Sequence, residues 1–168
     1  MPQIHNLPLN LPVRYCSAIG EVVARWARLE IGLQILLWRA MGLDNRQGRV
    51  LTVGMPARAL FGALRSLKHN WVGDAGTETT IRALVKDAEA AKNERDAIVH
   101  GVWGHTKGKP RPLRILRMKF GDQRVMPRSY PLTPADMTTP AANLKELNKR
   151  ADGLIRLVVA ARKRATRR

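Results

Sequence analysis

Residues 13–42 read VRYCSAIGEVVARWARLEIGLQILLWRAMG, and this stretch decides the fold. Its apolar side chains recur at alternating steps of four and three residues, which is the repeat of one side of an α-helix. The spacing predicts a helix over residues 13–42, stopped by Gly42 and the Asp44-Asn45 pair. A helix this long with a heptad-like seam needs helical partners, in its own chain or in a second copy. The seam consists of Tyr15, Ile19, Val22, Trp26, Leu29, Leu33, Leu36 and Ala40.

The rest of the chain carries three more helical seams and one region with a different pattern. Helices are predicted from Met55 to about residue 71, from about 77 to 99, and from about 140 to the basic C-terminal run. Residues 101–132 contain short runs of β-forming residues, which predict a small β-hairpin insert of two or three strands. We therefore predict a mainly α fold, a bundle of four to five helices with this insert before the last helix.

Length and composition limit the classes of protein to consider. The chain has 168 residues and a net charge of +17, so we expect a single domain over residues 1–168 that favours polyanionic partners. Cys16 is the only cysteine, which excludes an intramolecular disulfide and a Cys-rich zinc site. No apolar run reaches the roughly 18 residues of a membrane span and no secretory signal is visible, so we expect a cytoplasmic protein without a membrane partner.

Most of the excess charge lies in two short segments. Residues 101–130 hold eight basic residues and one acidic residue, and residues 150–168 hold seven and one. One interpretation is that the insert and the basic tail at residues 162–168 form an electrostatic track for an RNA backbone. The alternative is a solvated surface that opposes aggregation. The insert residues that we predict to bind RNA are Lys107, Lys109, Arg111, Arg114, Arg117 and Lys119.

The stretch with catalytic potential is NERDAIVHGVW at residues 93–103. Arg95 occupies a position of the apolar seam, where an arginine is rarely found unless it is paired or presented to an anion. His100 follows five residues later, at the predicted helix end. Metal-free phosphodiester cleavage needs a guanidinium that holds phosphate oxygens and an imidazole that moves a proton. Asp96 is placed to orient either of these groups.

Other common catalytic signatures are missing from the sequence. The four histidines include no pair at a helical metal-binding spacing, and no carboxylate cluster joins them. There is also no phosphate-binding loop, no Gly-rich dinucleotide fingerprint and no nucleophile elbow. We therefore expect no metal and no cofactor, and an acid–base catalyst if the protein is an enzyme.

The six residues from Arg95 to His100 resemble the signature of the HEPN superfamily (higher eukaryotes and prokaryotes nucleotide-binding). That signature is Arg, four to six residues and then His, often with Asn, Asp or His directly after the Arg; here four residues separate the two, and Asp96 follows the Arg. The resemblance extends loosely to the last helix and to the long first helix, which has an acidic residue, Glu30, in its apolar stretch. The 101–132 insert lies outside the family's minimal pattern.

The resemblance implies a helical domain that forms a homodimer in which two copies of Arg95 and His100 face each other. It also implies a metal-independent endoribonuclease that leaves 2′,3′-cyclic phosphate ends, with Asp96 completing the active site. Several such proteins are toxins or antiphage effectors, which makes an antitoxin or a nucleotidyltransferase a candidate partner; others have lost catalysis and only bind. Glu30 and Asn93 are the candidates for supporting positions beside the catalytic residues.

Plainer interpretations stay open at this level. In the first alternative, Arg95 pairs with Glu30 or Glu94, and His100 only marks the end of a helix. Glu30 itself then lies on the flank of the apolar seam. In a second alternative, a non-catalytic dimer binds nucleic acid through its charge. In a third, a helical scaffold binds a partner protein through its first long helix.

Overall fold

The computed structural model describes residues 11–68, 71, 73–104, 114–117 and 128–165 of the chain. Within that part the protein is mainly helical, as the sequence predicts, with five helices. They are α1 (Val13–Met41), α2 (Asn45–Thr52), α3 (Ala57–Ser66), α4 (Ala75–His100) and α5 (Thr138–Ala165), with a 3₁₀ turn over Ala135–Met137 leading into α5. None of these described helices is both long enough and apolar enough to cross a membrane.

The apolar seam of α1 forms the centre of the core. Seven of its eight predicted side chains are buried, and the eighth, Ile19, is partly buried against them. α5 packs along α1, and a Cβ added at Gly32 would lie 3.6 Å from the Ala151 Cβ, an ordinary van der Waals contact. α3 and α4 also contact α1. The helical partners that α1 requires are therefore present within its own chain.

Two hydrogen bonds from side chains fix how α5 lies along α1. The buried Asn148 donates from Nδ2 to the carbonyl of Arg25 on α1 (3.0 Å). Within α5 it also donates to the carbonyl of Leu144 (2.8 Å). Nearer the C-terminus, Arg162 Nη1 donates to the Ala40 carbonyl at 2.6 Å. Because the last carbonyls of a helix lack partners within it, this bond satisfies an otherwise open acceptor at the end of α1.

The segment after α1 differs from the sequence prediction. The sequence pattern predicts only the end of α1 here, but a second helix, α2, begins directly afterwards with a capping box. The backbone N–H of Gln47 donates to Asp44 Oδ1 (2.8 Å), and the backbone N–H of Asp44 donates to Gln47 Oε1 (3.1 Å). α3 begins at Ala57, with Pro56 as its N-cap, and ends at Ser66, so it is shorter than the helix predicted from Met55 to about residue 71. α2 has no long apolar seam, which is why apolar periodicity does not reveal it.

α4 ends at His100, with Gly101 directly after it, as the sequence predicts. Three short strands follow before α5, namely β1 (Val102–Gly104), β2 (Arg114–Arg117) and β3 (Arg128–Pro131). They pair in the order β1-β2-β3, and both pairings are antiparallel. Residues 105–113 and 118–127 of the predicted insert lie outside the described residues.

A tryptophan that covers a glycine holds α2 against the end of α1. Gly48 is buried beneath the Trp38 indole, which leaves no space for a Cβ atom. Trp38 Nε1 donates to Thr52 Oγ1 (3.2 Å), and that hydroxyl donates to the Gly48 carbonyl (3.0 Å). Trp26 and Trp38 are both buried in the core, so a partner protein that docks on α1 would contact the opposite, exposed side of that helix.

We expect Gly48→Ala to destabilise the protein by about 1–3 kcal/mol, because the new Cβ overlaps the Trp38 ring and forces α2 to shift. Gly20→Ala is the matched control on α1. Nothing lies within 4 Å of a Cβ added there, so removing this helical glycine should stabilise the protein by roughly 0.5–1 kcal/mol. Urea unfolding followed by circular dichroism measures both effects. Equal effects of the two substitutions would contradict the packing of Trp38 on Gly48.

Candidate active site

Arg95 lies on the side of α4 that faces α1. Its neighbours on that side, Ala91 and Ile98, are buried, whereas the side chain of Arg95 is 23% exposed. The guanidinium lies over the indole of Trp26, with Cζ 5.9 Å from the ring centroid. A cation over the face of a tryptophan is attracted by the ring quadrupole. The sequence position that looked anomalous for an arginine is therefore stabilised by an aromatic residue of the neighbouring helix.

The structure brings Arg95, Asp96 and His100 together. Arg95 Nη1 donates to Asp96 Oδ1 at 2.9 Å and lies 3.3 Å from His100 Nε2. A guanidinium can only donate, so a hydrogen bond in this contact requires His100 Nε2 as the acceptor. The imidazole is exposed at the end of α4. The ion-pair partner of Arg95 is thus Asp96, and neither Glu30 nor Glu94 takes that place among the described residues.

Lys92 is a member of the site that sequence reasoning missed. Its Nζ donates to Asp96 Oδ2 at 2.5 Å, so the Asp96 carboxylate bridges Lys92 and Arg95. Burial raises the pKa of Asp96, but the hydrogen bonds from Lys92 and Arg95, together with their charges, lower it by more, and the net direction is downward from 3.8. Lys92 and Asp96 are four residues apart, a spacing that brings side chains together on a helix. This spacing is the sequence signal from which the pair could have been predicted.

One N–H group of Arg95 has no acceptor. The Nε atom is buried and lacks a hydrogen-bond partner in the part of the chain that the structure describes. A buried donor without an acceptor costs about 1–3 kcal/mol. Nη1 is fully used, because its two N–H groups meet Asp96 and His100. Because Nε is enclosed, an anion that binds from solvent does not reach it, and this cost remains in the bound state.

Comparisons with protein-family models, with curated proteins and with solved structures found no match for this chain. The relation to the HEPN superfamily therefore stays a prediction from the motif that begins at Arg95 and ends at His100.

The remaining predicted site residues are more distant or lie outside the described part. Asn93 is exposed on α4 and Glu30 is half-buried on α1, and no described hydrogen bond or ion pair joins either of them to Arg95. Arg114 and Arg117 are the first and last residues of β2. The predicted RNA-binding residues outside the described part are Lys107, Lys109, Arg111 and Lys119.

The basic C-terminal end of α5 lies at the opposite end of α4 from Arg95. Gly73, just before α4, is so close to this end that an added Cβ would lie 2.5 Å from the Ala161 Cβ. The pKa of Asp74, the N-cap of α4, is lowered by hydrogen bonds from the first helical turn and also by the charge of Arg164. At 1.5 Å per residue, about 30 Å of helix separates Asp74 from Arg95. Of the two basic segments, the described part of the C-terminal one is therefore remote from the site.

The geometry defines what this site can do chemically. Among the described residues, no three His, Cys, Asp or Glu side chains come close enough together to hold a metal ion. The site does contain a permanent cation, Arg95, next to a ring nitrogen of the exposed His100. An anion held by Arg95 would lie beside a group that accepts a proton, which is the arrangement that general-base attack on a phosphate ester needs.

The lowered pKa of Asp96 predicts a pH dependence of stability. Because its folded-state pKa lies below the ordinary 3.8, Asp96 stabilises the fold above about pH 4, and this contribution is lost as the pH falls through the folded-state pKa. We expect Asp96→Asn to be less stable than the wild type near neutral pH, with the difference shrinking in acid. Unfolding by urea at a series of pH values measures the difference.

Two lysine variants on α4 control that experiment. Lys92→Met should reduce the same acid-dependent difference, because it removes the first hydrogen bond that lowers the pKa of Asp96. Lys86→Met removes an exposed lysine of the same helix and should leave the pH dependence unchanged. If wild type and Asp96→Asn lose stability in parallel down to about pH 2, the bridge between Lys92 and Arg95 does not act as described.

Proposed function

We propose that this chain is a HEPN-like endoribonuclease that works without a metal ion and acts as a homodimer with a composite Arg95–His100 site. The observation that carries the proposal is the 3.3 Å approach of Arg95 Nη1 to His100 Nε2 at the exposed end of α4. The two side chains supply the phosphate-holding cation and the proton acceptor of metal-free RNA cleavage. In this proposal the helices form a HEPN-like bundle, and the strands belong to an insert before the last helix.

In the proposed reaction His100 acts first as general base and then as general acid. Its Nε2 accepts the proton of the ribose 2′-OH while that oxygen attacks the adjacent phosphorus. The bond between phosphorus and O5′ breaks, and a His100 imidazolium gives a proton to the leaving O5′. The products are a 2′,3′-cyclic phosphate and a 5′-OH. Arg95 donates to the phosphate oxygens and stabilises the charge that develops on them.

RNA replaces the contact between Arg95 and His100 in this reaction. Nε2 cannot accept from Arg95 Nη1 and from the 2′-OH at the same time, because it has one lone pair in the ring plane. The 2′-OH supplies a new donor to Nε2, and a phosphate oxygen supplies an acceptor to Nη1. The substrate thus satisfies both partners. In the homodimer, His100 of one protomer or of both carries out the base and acid steps.

Lys92 and Asp96 adjust the charge of the proposed site. Alone, the Asp96 carboxylate would neutralise Arg95. The ammonium of Lys92 balances Asp96, so the three groups together keep one positive charge for a phosphate. Asp96 bonds to Arg95 and Lys92, and none of its described bonds reaches His100, so its proposed role is to orient Arg95.

The basic residues of the insert are proposed to hold the RNA backbone beside the site. β1 begins after Gly101, directly beyond His100, and pairs with β2, which carries Arg114 and Arg117. The sheet thus starts from the same helix end as the candidate catalytic pair. Phosphate contacts of this kind position a nucleic acid without reading its sequence. The other residues in this proposed surface are Lys107, Lys109, Arg111 and Lys119.

A second candidate function is nucleic-acid binding without catalysis. The contact that occupies His100 Nε2 favours it, because a site that only holds an anion does not need a free base. This candidate predicts strong, salt-dependent binding that His100→Ala leaves intact. Neutralising the basic residues of the insert or of the C-terminal tail should weaken that binding.

RNA cleavage in excess EDTA tests the nuclease proposal. We expect the wild type to cleave, and Arg95→Ala and His100→Ala each to lose about 100- to 10,000-fold in rate, because each removes a group that acts in the transition state. Arg82→Ala is the matched control, since Arg82 is an exposed arginine of the same helix that pairs with Glu78 at 2.7 Å. It should cleave at the wild-type rate.

The outcomes separate the two candidates. Cleavage that survives both Arg95→Ala and His100→Ala, or cleavage that requires an added metal ion, would overturn the nuclease proposal. Fluorescence anisotropy with the same RNA measures binding in parallel. Tight binding by wild type and His100→Ala, with no cleavage by either, would favour the second candidate. Mass spectrometry of the product ends checks for the 2′,3′-cyclic phosphate.

A further inference from the structure

The outward side of α2 exposes two valines beside two arginines. Arg46, Arg49, Val50 and Val53 follow one another at the spacing of a single side of a helix. Val50 is 73% exposed and Val53, the C-cap residue, is 82% exposed. No described ion pair involves Arg46 or Arg49, and both are exposed. Since the opposite side of α2 is packed on α1, this outward side is available to a partner.

A groove between α4 and α5 is about as long as α2. Its volume is about 300 Å³, and it is lined by four residues of α4 from Asp87 to Glu94 and four of α5 from Asn143 to Arg150. On both helices the lining positions fall at steps of three, four and seven residues, so the groove runs along two turns of each helix. Such a groove can receive the side chains along one side of a third helix of about two turns.

The groove has the opposite charge to the rest of the molecule. Three carboxylates line it, those of Asp87, Glu94 and Glu146, in a chain whose net charge is +17. The one cation in its lining, Arg150, pairs with Asp87 at 2.6 Å, and the exposed Lys149 of α5 pairs with Glu146 at 3.2 Å, so Glu94 is the lining carboxylate without a described ion-pair partner. The apolar part of the lining consists of Ala90, Ala91 and Leu147. The groove therefore suits a helix that presents both aliphatic and basic side chains.

α2 meets these requirements. It has eight residues, about 12 Å of helix, and the lining of the groove spans eight residues on each of its two helices. Its valines suit the apolar lining, and Arg46 and Arg49 suit the carboxylate of Glu94 and that of Glu146, where an arginine would replace the exposed Lys149. α2 cannot reach the groove of its own chain, because the bond from Trp38 to α2 holds it on α1.

We infer that α2 of one copy docks in the α4–α5 groove of a second copy of this chain. The contact joins two different surfaces, so each copy offers one α2 and one groove. The inference goes beyond the proposed nuclease, because the docking uses neither Arg95 nor His100. Its test contains no RNA, so either proposal can fail without the other.

Site-specific cross-linking between two variants tests the docking. Both carry Cys16→Ser, which removes the only cysteine. One adds Val50→Cys on α2, and the other adds Ala90→Cys in the groove. Under mild oxidation we expect their equimolar mixture to form a disulfide-linked dimer on a non-reducing gel, and each variant alone to give only background. Val13→Cys replaces Val50→Cys as the control, because Val13 is 84% exposed but lies on α1.

Charge reversal makes the test specific. Arg46→Glu with Arg49→Glu in the Val50→Cys chain should lower the cross-linking yield by about tenfold or more, because like charges then face each other. Glu94→Lys with Glu146→Lys in the Ala90→Cys chain should do the same. When both chains carry their reversals, the charges are complementary again, and the yield should return. All these positions are exposed, so the variants are expected to fold.

Three results would overturn the inference. The first is an equal yield from Val13→Cys and Val50→Cys, since that is random collision. The second is a yield that neither charge reversal changes. The third is a combination of the two reversals that fails to restore the yield, because complementary charge is the reason for pairing these two surfaces.

Discussion

One side of α1 is apolar from Tyr15 to Ala40, and the need to bury that side is the constraint from which the rest of the structure follows. Each fully buried leucine contributes about 1.5–3 kcal/mol, and α1 supplies a continuous row of them. α3, α4 and α5 all contact it. Trp26 lies on the same apolar side of α1, and the guanidinium of Arg95 lies over its ring. The candidate active site is therefore built on a core residue, and Arg95 is positioned by the same packing that forms the fold.

The long elements could be predicted because their signals are local. The seam of α1, the end of α4 at His100 and the approach of Arg95 to His100 all follow from spacing along one helix. α2 could not be predicted from apolar periodicity, because it is fixed by a capping box and by a glycine beneath a tryptophan of another helix. The contact between Arg95 and Trp26 also joins residues far apart in sequence. The same limit applies to the charge: the sequence does not show that the described basic end of α5 lies at the start of α4, about 30 Å of helix from Arg95.

The electrostatic character of the site comes from its place on α4 as well as from its side chains. The C-terminal end of a helix carries a partial negative charge that acts on groups in the last turn. His100 lies in that turn of α4, whereas Arg95 and Lys92 lie before it. Asp96 is held as a carboxylate between these two cations, so it balances them without becoming a proton donor. Arg95 and Lys92 are thus held together by one internal anion.

At the other end of the bundle, three helix termini share one small set of contacts. Arg162 of α5 bonds to the Ala40 carbonyl of α1 and fills the space beside Gly42, while Ala161 lies against Gly73 before α4. Helix ends normally fray independently and on their own timescales. Here, fraying of the last turn of α5 would break the hydrogen bond from Arg162 to the Ala40 carbonyl. The same event would expose the start of α4. Hydrogen exchange at these three termini would then report a single opening event and a single free energy, so that this end of the molecule behaves as one cooperative unit.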